Sequence, residues 1–177
     1  MRRFLTLSFT LLLWWALLAQ LNDLLSGLRV YLFAGALFVA FGALTQPFRT
    51  GLLASCVGGL ICDANAPVTF GLHLLLFGGV HAMIYQIRDR VPADDNIAIT
   101  VVSLLANLAL FLVFSLTQIH ASPAPAAVWP RLLMDLLCSQ VFLALVTPWF
   151  FALQARSLEV AQVVTAAYDR RFRGRRI

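Results

Sequence analysis

The chain has 177 residues, 61% of them apolar and only 12% charged, with a mean hydropathy of +0.86. Soluble domains are about half apolar and about a quarter charged, so this composition leaves little room for a soluble domain and implies one integral membrane domain. All 13 basic residues are arginine, the formal charge is +5, and the arginines flank apolar runs rather than forming a basic domain. Such an excess reports topology, through the bias of basic residues toward the cytoplasm, rather than nucleic-acid binding.

In chain order, the N-terminal "MRRFLTLSFTLLLWWALLAQL" begins basic and runs apolar from Phe4 to Leu21. A cleaved signal peptide has the same start, but this run exceeds the usual apolar region and "ALLAQL" is a poor cleavage site. We read span 1, residues 4–21, as an uncleaved helix with Trp14 and Trp15 nearing an interface. Five more apolar segments follow, over 28–46, 48–62, 68–87, 97–119 and 132–154.

The third span is short. Gly51–Cys62 covers about 18 Å at 1.5 Å per residue, against a hydrocarbon core of about 30 Å. It either crosses, with Arg49 snorkelling toward the headgroups, or forms a re-entrant loop. Charge placement favours crossing. With six crossings and the N-terminus inside, Arg2, Arg3, Arg49, Arg88, Arg90, Arg156, Arg170, Arg171, Arg173, Arg175 and Arg176 collect on the cytoplasmic side, leaving Arg29 and Arg131 outside. The expected fold is therefore all-α: a polytopic membrane domain over 1–155 with six transmembrane helices, N- and C-termini cytoplasmic, then a basic amphipathic tail over 156–177. The connection 120–131, "HASPAPAAVWPR", is expected to be extended.

Membrane helices associate through close packing of small residues. Glycines recur seven apart in three successive spans, as Gly35 and Gly42, Gly51 and Gly58, Gly71 and Gly78. Seven residues turn a helix through about 700°, so each pair shares a face, and spans 2, 3 and 4 are expected to form a tight core.

Ionisable groups at mid-depth are the usual sign of intramembrane chemistry, and the acidic residues here avoid mid-span. Asp63 ends span 3, where water is expected to reach it; Asp63 or Asn65 is expected to cap span 4, with Pro67 tolerated in its first turn. Asp135 lies four residues after Arg131, the spacing of an intrahelical ion pair. His73 and His81 share span 4, about 12 Å apart along the axis, and cannot hold one metal by themselves. His73 is expected to meet Asp63 or water. For His81, a hydrogen bond to Asn107 or Ser103 of span 5 is preferred to a proton relay. The three cysteines show no C-x-x-C and read as small core residues. No Ser-His-Asp set, phosphate loop or paired carboxylate is present, so no catalytic residue, cofactor or metal is expected. Five arginines, Arg170, Arg171, Arg173, Arg175 and Arg176, close a tail suited to anionic lipid.

At residues 51–119 the chain resembles the rod shape-determining MreD family of bacterial inner-membrane proteins. The resemblance rests on "GLLASCVGGLICD", with Gly58, Gly59 and Asp63, on Asn65 and Pro67 in the following turn, on Gly71 of "FGLH", and on "LLLFGGVHAMIYQIRDR". "TPWFFALQARSLEVA" is similar to the family's closing helix, with Pro148-Trp149 before a basic end. The chain departs from the family at "SGLRVY", where members often carry proline, and in its long tail. The resemblance implies a non-enzymatic scaffold of the cell-elongation machinery, acting with an MreC-like bitopic protein, MreB, RodA and penicillin-binding protein 2. His73, His81, Asn107, Pro148 and Trp149 are then candidate polar or partner contacts. Six short helices also resemble the substrate-binding components of vitamin transporters, so small-ligand capture is the alternative and a membrane enzyme a more distant one.

Overall fold

A computed structural model of the chain describes residues 2–65, 69–92, 95–121 and 125–161. Among these, six α-helices follow one another: α1 (Arg2–Leu25), α2 (Leu37–Thr45), α3 (Phe48–Asn65), α4 (Leu72–Ile87), α5 (Asn96–Ala121) and α6 (Pro125–Val160). Three stretches, Arg2–Leu28, Asn96–Thr117 and Val128–Val160, are long and apolar enough to cross a membrane. Their length and composition make this a membrane protein.

The expected extended connection 120–131 is instead mostly helix. α5 continues to Ala121 and α6 starts at Pro125. Proline at a first helical position loses only an N–H that has no intrahelical partner, so "PAPAAVWP" permits an early start that a count of breakers misses. α6 also runs without interruption past residue 155 to Val160, carrying Pro130 and Pro148 inside it.

The second apolar segment, expected as one helix over 28–46, is also different. Residues 30–34 have no regular secondary structure, Gly35 and Ala36 form a turn, and only Leu37–Thr45 is α-helical. α2 is about 14 Å long and every residue from Leu37 to Leu44 is buried. A helix that is apolar on all sides belongs inside a bundle, and α2 packs against α3, α4, α5 and α6. Around it, α1 adjoins α3 and α6, α3 adjoins α4, and α5 adjoins α6. The α1–α6 seam is closed by Trp14, whose ring lies 5.2 Å from Phe150 and 6.5 Å from Phe142, and by Thr10 donating to Gln154 at 2.7 Å.

Of the three glycine pairs, Gly51 and Gly58 share one helix, α3, as their spacing predicts. A Cβ on Gly51 would lie 2.5 Å from the Gly42 carbonyl oxygen, so α2 and α3 touch backbone to backbone there. Gly58 abuts Phe38, and Gly35 abuts Phe33 and Phe77. The other two pairs are not helix faces, because Gly35 lies in the turn before α2 and Gly71 lies before α4, with φ of 95° and open space around it. The closest α3–α4 approach is instead at Gly59, where a Cβ would lie 2.7 Å from the Leu74 Cα. At the far end of α2, Arg88 stacks its guanidinium 3.7 Å above the Tyr85 ring and donates to the Gln46 carbonyl at 3.1 Å. That places a cation at the negative end of α2.

Gly59→Ala is expected to lower unfolding free energy by about 1–3 kcal/mol, because the obstacle is backbone that cannot rotate away. Gly79→Ala, with nothing within 4 Å of its added methyl, is expected to cause no loss. Thermal midpoints of the two purified variants check the contrast.

Candidate functional site

Three groups of buried polar side chains surround α2 and its non-helical lead. The first centres on Asp63, in the last turn of α3. Its Oδ2 accepts from the backbone N–H of Gly71 at 3.0 Å and of Leu74 at 3.1 Å. Its Oδ1 accepts from the His73 N–H at 2.9 Å and from the His73 ring Nδ1 at 2.8 Å. A carboxylate only accepts, so Nδ1 carries the proton.

The N-cap position of α4 is Gly71, which has no side chain to cap with. Asp63 supplies the missing acceptor from the neighbouring helix, taking up N–H groups that α4 cannot satisfy internally. The negative charge also sits at the positive end of α4. Asp63 therefore does cap the start of α4, but water does not reach it: its side chain is wholly buried. The physical reason is that α3 runs to Asn65, which carries the carboxylate into the α3–α4 contact instead of leaving it in a loop. Asn65 caps nothing on α4; its amide donates to the Ile61 carbonyl at 2.8 Å and it is exposed. Pro67 lies outside the described residues. The His73 ring, held by Asp63, stacks on Phe114 of α5 at 4.2 Å, bridging α4 to α5.

The second group holds the non-helical stretch. Asn22 of α1 accepts from the Leu32 N–H at 2.7 Å and donates to the Leu32 carbonyl at 3.0 Å, as a neighbouring strand would. Asp135 of α6 accepts from the Tyr31 N–H at 2.8 Å, and Ser139, one turn on, accepts from the Phe33 N–H at 2.9 Å. Asn107 of α5 donates to the Phe33 carbonyl at 3.0 Å and accepts from the Ala36 N–H at 3.3 Å. Non-helical backbone at membrane depth persists only when buried in protein that satisfies it, and these side chains from three helices do so. The expected Arg131–Asp135 pair is present at 3.9 Å, but Asp135 is engaged more closely by Tyr31.

The third group is His81, fully buried beside the Gly42–Gly51 contact. The expected partners were Asn107 or Ser103. Asn107 is instead committed to residues 33 and 36, and Ser103 donates to its own helix at Ile99. His81 Nδ1 meets Ser55 of α3 at 3.0 Å, because glycine at 51 brings α3 within reach of the ring. Its ring also packs against Phe48 and Tyr85.

Of the other candidates, Gly58 and Gly59 act as contact surfaces for Phe38 and Leu74. Pro148 lies inside α6, and Trp149 beside it is 81% exposed. Arg170, Arg171, Arg173, Arg175 and Arg176 lie outside the described residues. Sequence reasoning passed over Asn22, and it reads Ser55 and Ser139 only as isolated helix-packing hydroxyls. The spacing of Arg131, Asp135 and Ser139, four apart on an otherwise apolar helix, was a usable signal for a polar stripe turned inward. Cys56, Cys62 and Cys138 are free thiols, and among the described residues no group of three His, Cys, Asp or Glu side chains is placed to hold a metal. Chemically, the first two groups fix backbone, whereas the third joins two side chains and leaves the buried His81 Nε2 without a hydrogen-bond partner among the described residues.

No family model, curated protein or solved structure matches the chain.

Asp63→Asn is expected to cost about 1–3 kcal/mol, since its amide NH2 must then face a backbone N–H. Asp63→Leu is expected to cost more, and thermal midpoints should rank wild type, Asn, Leu. Asn107→Leu, which strips both contacts from residues 33 and 36, should likewise lower the midpoint and expose the non-helical stretch to limited proteolysis.

Proposed function

We propose that this chain is a non-enzymatic membrane scaffold of the MreD type, in a bacterial inner membrane, with six traverses and both termini cytoplasmic. In this reading the second traverse combines the non-helical stretch 30–36 with α2. The observation that carries the proposal is the commitment of the polar side chains at residues 30–36 and at the start of α4 to the chain's own backbone. Asp63, Asn22, Asn107, Asp135 and Ser139 immobilise a body without offering a reacting group, which suits a protein whose work is to hold others in place.

A docking ridge accompanies it. Leu137, Val141, Leu145, Trp149 and Leu153 are exposed on α6 at intervals of four, the spacing of a ridge that fits the groove of a partner helix. Trp149 is the natural anchor, since tryptophan dominates many interface hot spots. The partner is the single helix of an MreC-like bitopic protein, and through it MreB, RodA and penicillin-binding protein 2. The tail arginines 170, 171, 173, 175 and 176 then rest on anionic lipid, at about 1 kcal/mol for each one near the surface. No nucleic acid and no cofactor enter this reading.

A second reading, small-ligand capture like that of vitamin-transporter binding components, is favoured by one observation, the unwound stretch 30–36. Broken helices commonly build transporter sites. Native mass spectrometry of the purified protein separates the two: a stoichiometric bound small molecule supports capture, and empty protein supports the scaffold.

As a scaffold, the chain should co-purify with an MreC-like partner, and its depletion should round the cells. Trp149→Ala should weaken that co-purification at least about tenfold while leaving the thermal midpoint unchanged, which corresponds to a loss of about 1.4 kcal/mol. Normal cell shape after depletion contradicts the proposal.

A further inference from the structure

The outer helices are of unequal length, and the short ones are adjacent. Exposed polar residues bound the apolar stretch on each helix. They are Arg2 and Gln20 on α1, Asn96 and Thr117 on α5, and Arg131 and Arg156 on α6. At 1.5 Å per residue these windows measure about 27, about 31 and about 37 Å, so those of α5 and α6 reach across a hydrocarbon core of about 30 Å. On α3 the exposed bounds are Arg49 and Asn65, a window of about 24 Å, and the whole of α4 is also about 24 Å. Any tilt shortens these projections further.

These two helices are locked into one wall, because at Gly59 the α3 backbone lies directly against Leu74 of α4. The wall is apolar and outward-facing: Leu53 and Leu60 of α3 and Leu75 and Met83 of α4 are all exposed. In a bilayer of ordinary thickness, either Arg49 and Asn65 enter hydrocarbon or acyl chains at the rim meet polar surface. A layer thinner by roughly 6 Å avoids both.

We propose that the α3–α4 wall sits against a locally thinned bilayer, so that the partner this surface fits is lipid with a shorter hydrocarbon layer than α5 and α6 match. The arginines bounding it, Arg49 on α3 and Arg90 just beyond α4, are both exposed and meet phosphate headgroups drawn toward the midplane. This inference rests on the six-traverse topology proposed above, in which α3 and α4 cross the bilayer, and not on which partner the chain serves.

The test uses the full-length protein in phosphatidylcholine vesicles whose chains lengthen from dimyristoleoyl through dipalmitoleoyl and dioleoyl to dierucoyl. The thermal midpoint is expected to be highest in the two shorter lipids and to fall by several degrees toward dierucoyl. The double variant Arg49→Leu, Asn65→Leu lengthens the apolar window of α3 at both ends and is expected to move the optimum to dioleoyl. If that variant does not fold, the wild-type profile decides alone. A wild-type optimum in dioleoyl or longer lipid overturns the proposal. So does a short-lipid optimum that vanishes on dilution of protein in lipid, because a second copy rather than thinned bilayer then covers the wall.

Discussion

Backbone N–H and C=O groups removed from water must find partners inside the protein, and this constraint is severest where lipid surrounds the chain. A continuous helix meets it locally. This chain breaks that solution twice, over residues 30–36 and at the start of α4, and repairs both breaks with side chains from other helices. The rest of the architecture depends on those repairs. Leaving one such buried group unpaired costs about 1–3 kcal/mol, so several repairs together are comparable to the whole stability of an ordinary domain of about 5–15 kcal/mol.

Because each repair ties together distant elements, it also fixes their packing. Asn22, Asn107, Asp135 and Ser139 join α1, α5 and α6 to the non-helical lead of α2, and Asp63 joins α3 to α4. The close backbone contacts at Gly42–Gly51 and Gly59–Leu74 then become possible, since α2, α3 and α4 are held in register. His81 fits beside Gly51 and reaches Ser55 only because no side chain intervenes there. A body assembled this way spends Asn22, Asp63, Asn107, Asp135 and Ser139 on its own backbone and carries apolar residues outside on α6, α3 and α4. The scaffold proposal draws on that division.

Much of this was legible in the sequence, for reasons that can be stated residue by residue. Apolar runs locate α1, α5 and α6 because a membrane helix needs about 20 apolar residues regardless of its neighbours. Glycine spacing finds the packing face of α3 because the helical period is local. Asp63 announces itself as a cap, and Arg131 and Asp135 as a pair, for the same reason. What was hidden depends on contacts between residues far apart in the chain. The Ala36–Asn107, Tyr31–Asp135 and Phe33–Ser139 bonds span 71, 104 and 106 residues, and no local period encodes them. An apolar stretch such as 28–46 reads as helix unless one knows that polar partners await its backbone elsewhere. Likewise the burial of Asp63 follows from three more residues of helix in α3, a boundary that periodicity leaves loose.

The central claim is that side chains from other helices secure the non-helical backbone as firmly as a helix would. Hydrogen–deuterium exchange on the full chain in lipid nanodiscs measures this directly. The amides of Tyr31, Leu32, Phe33 and Ala36, with those of Gly71, His73 and Leu74, are predicted to exchange as slowly as the buried helix α2. Exchange at the rate of an open loop in either stretch would contradict the account.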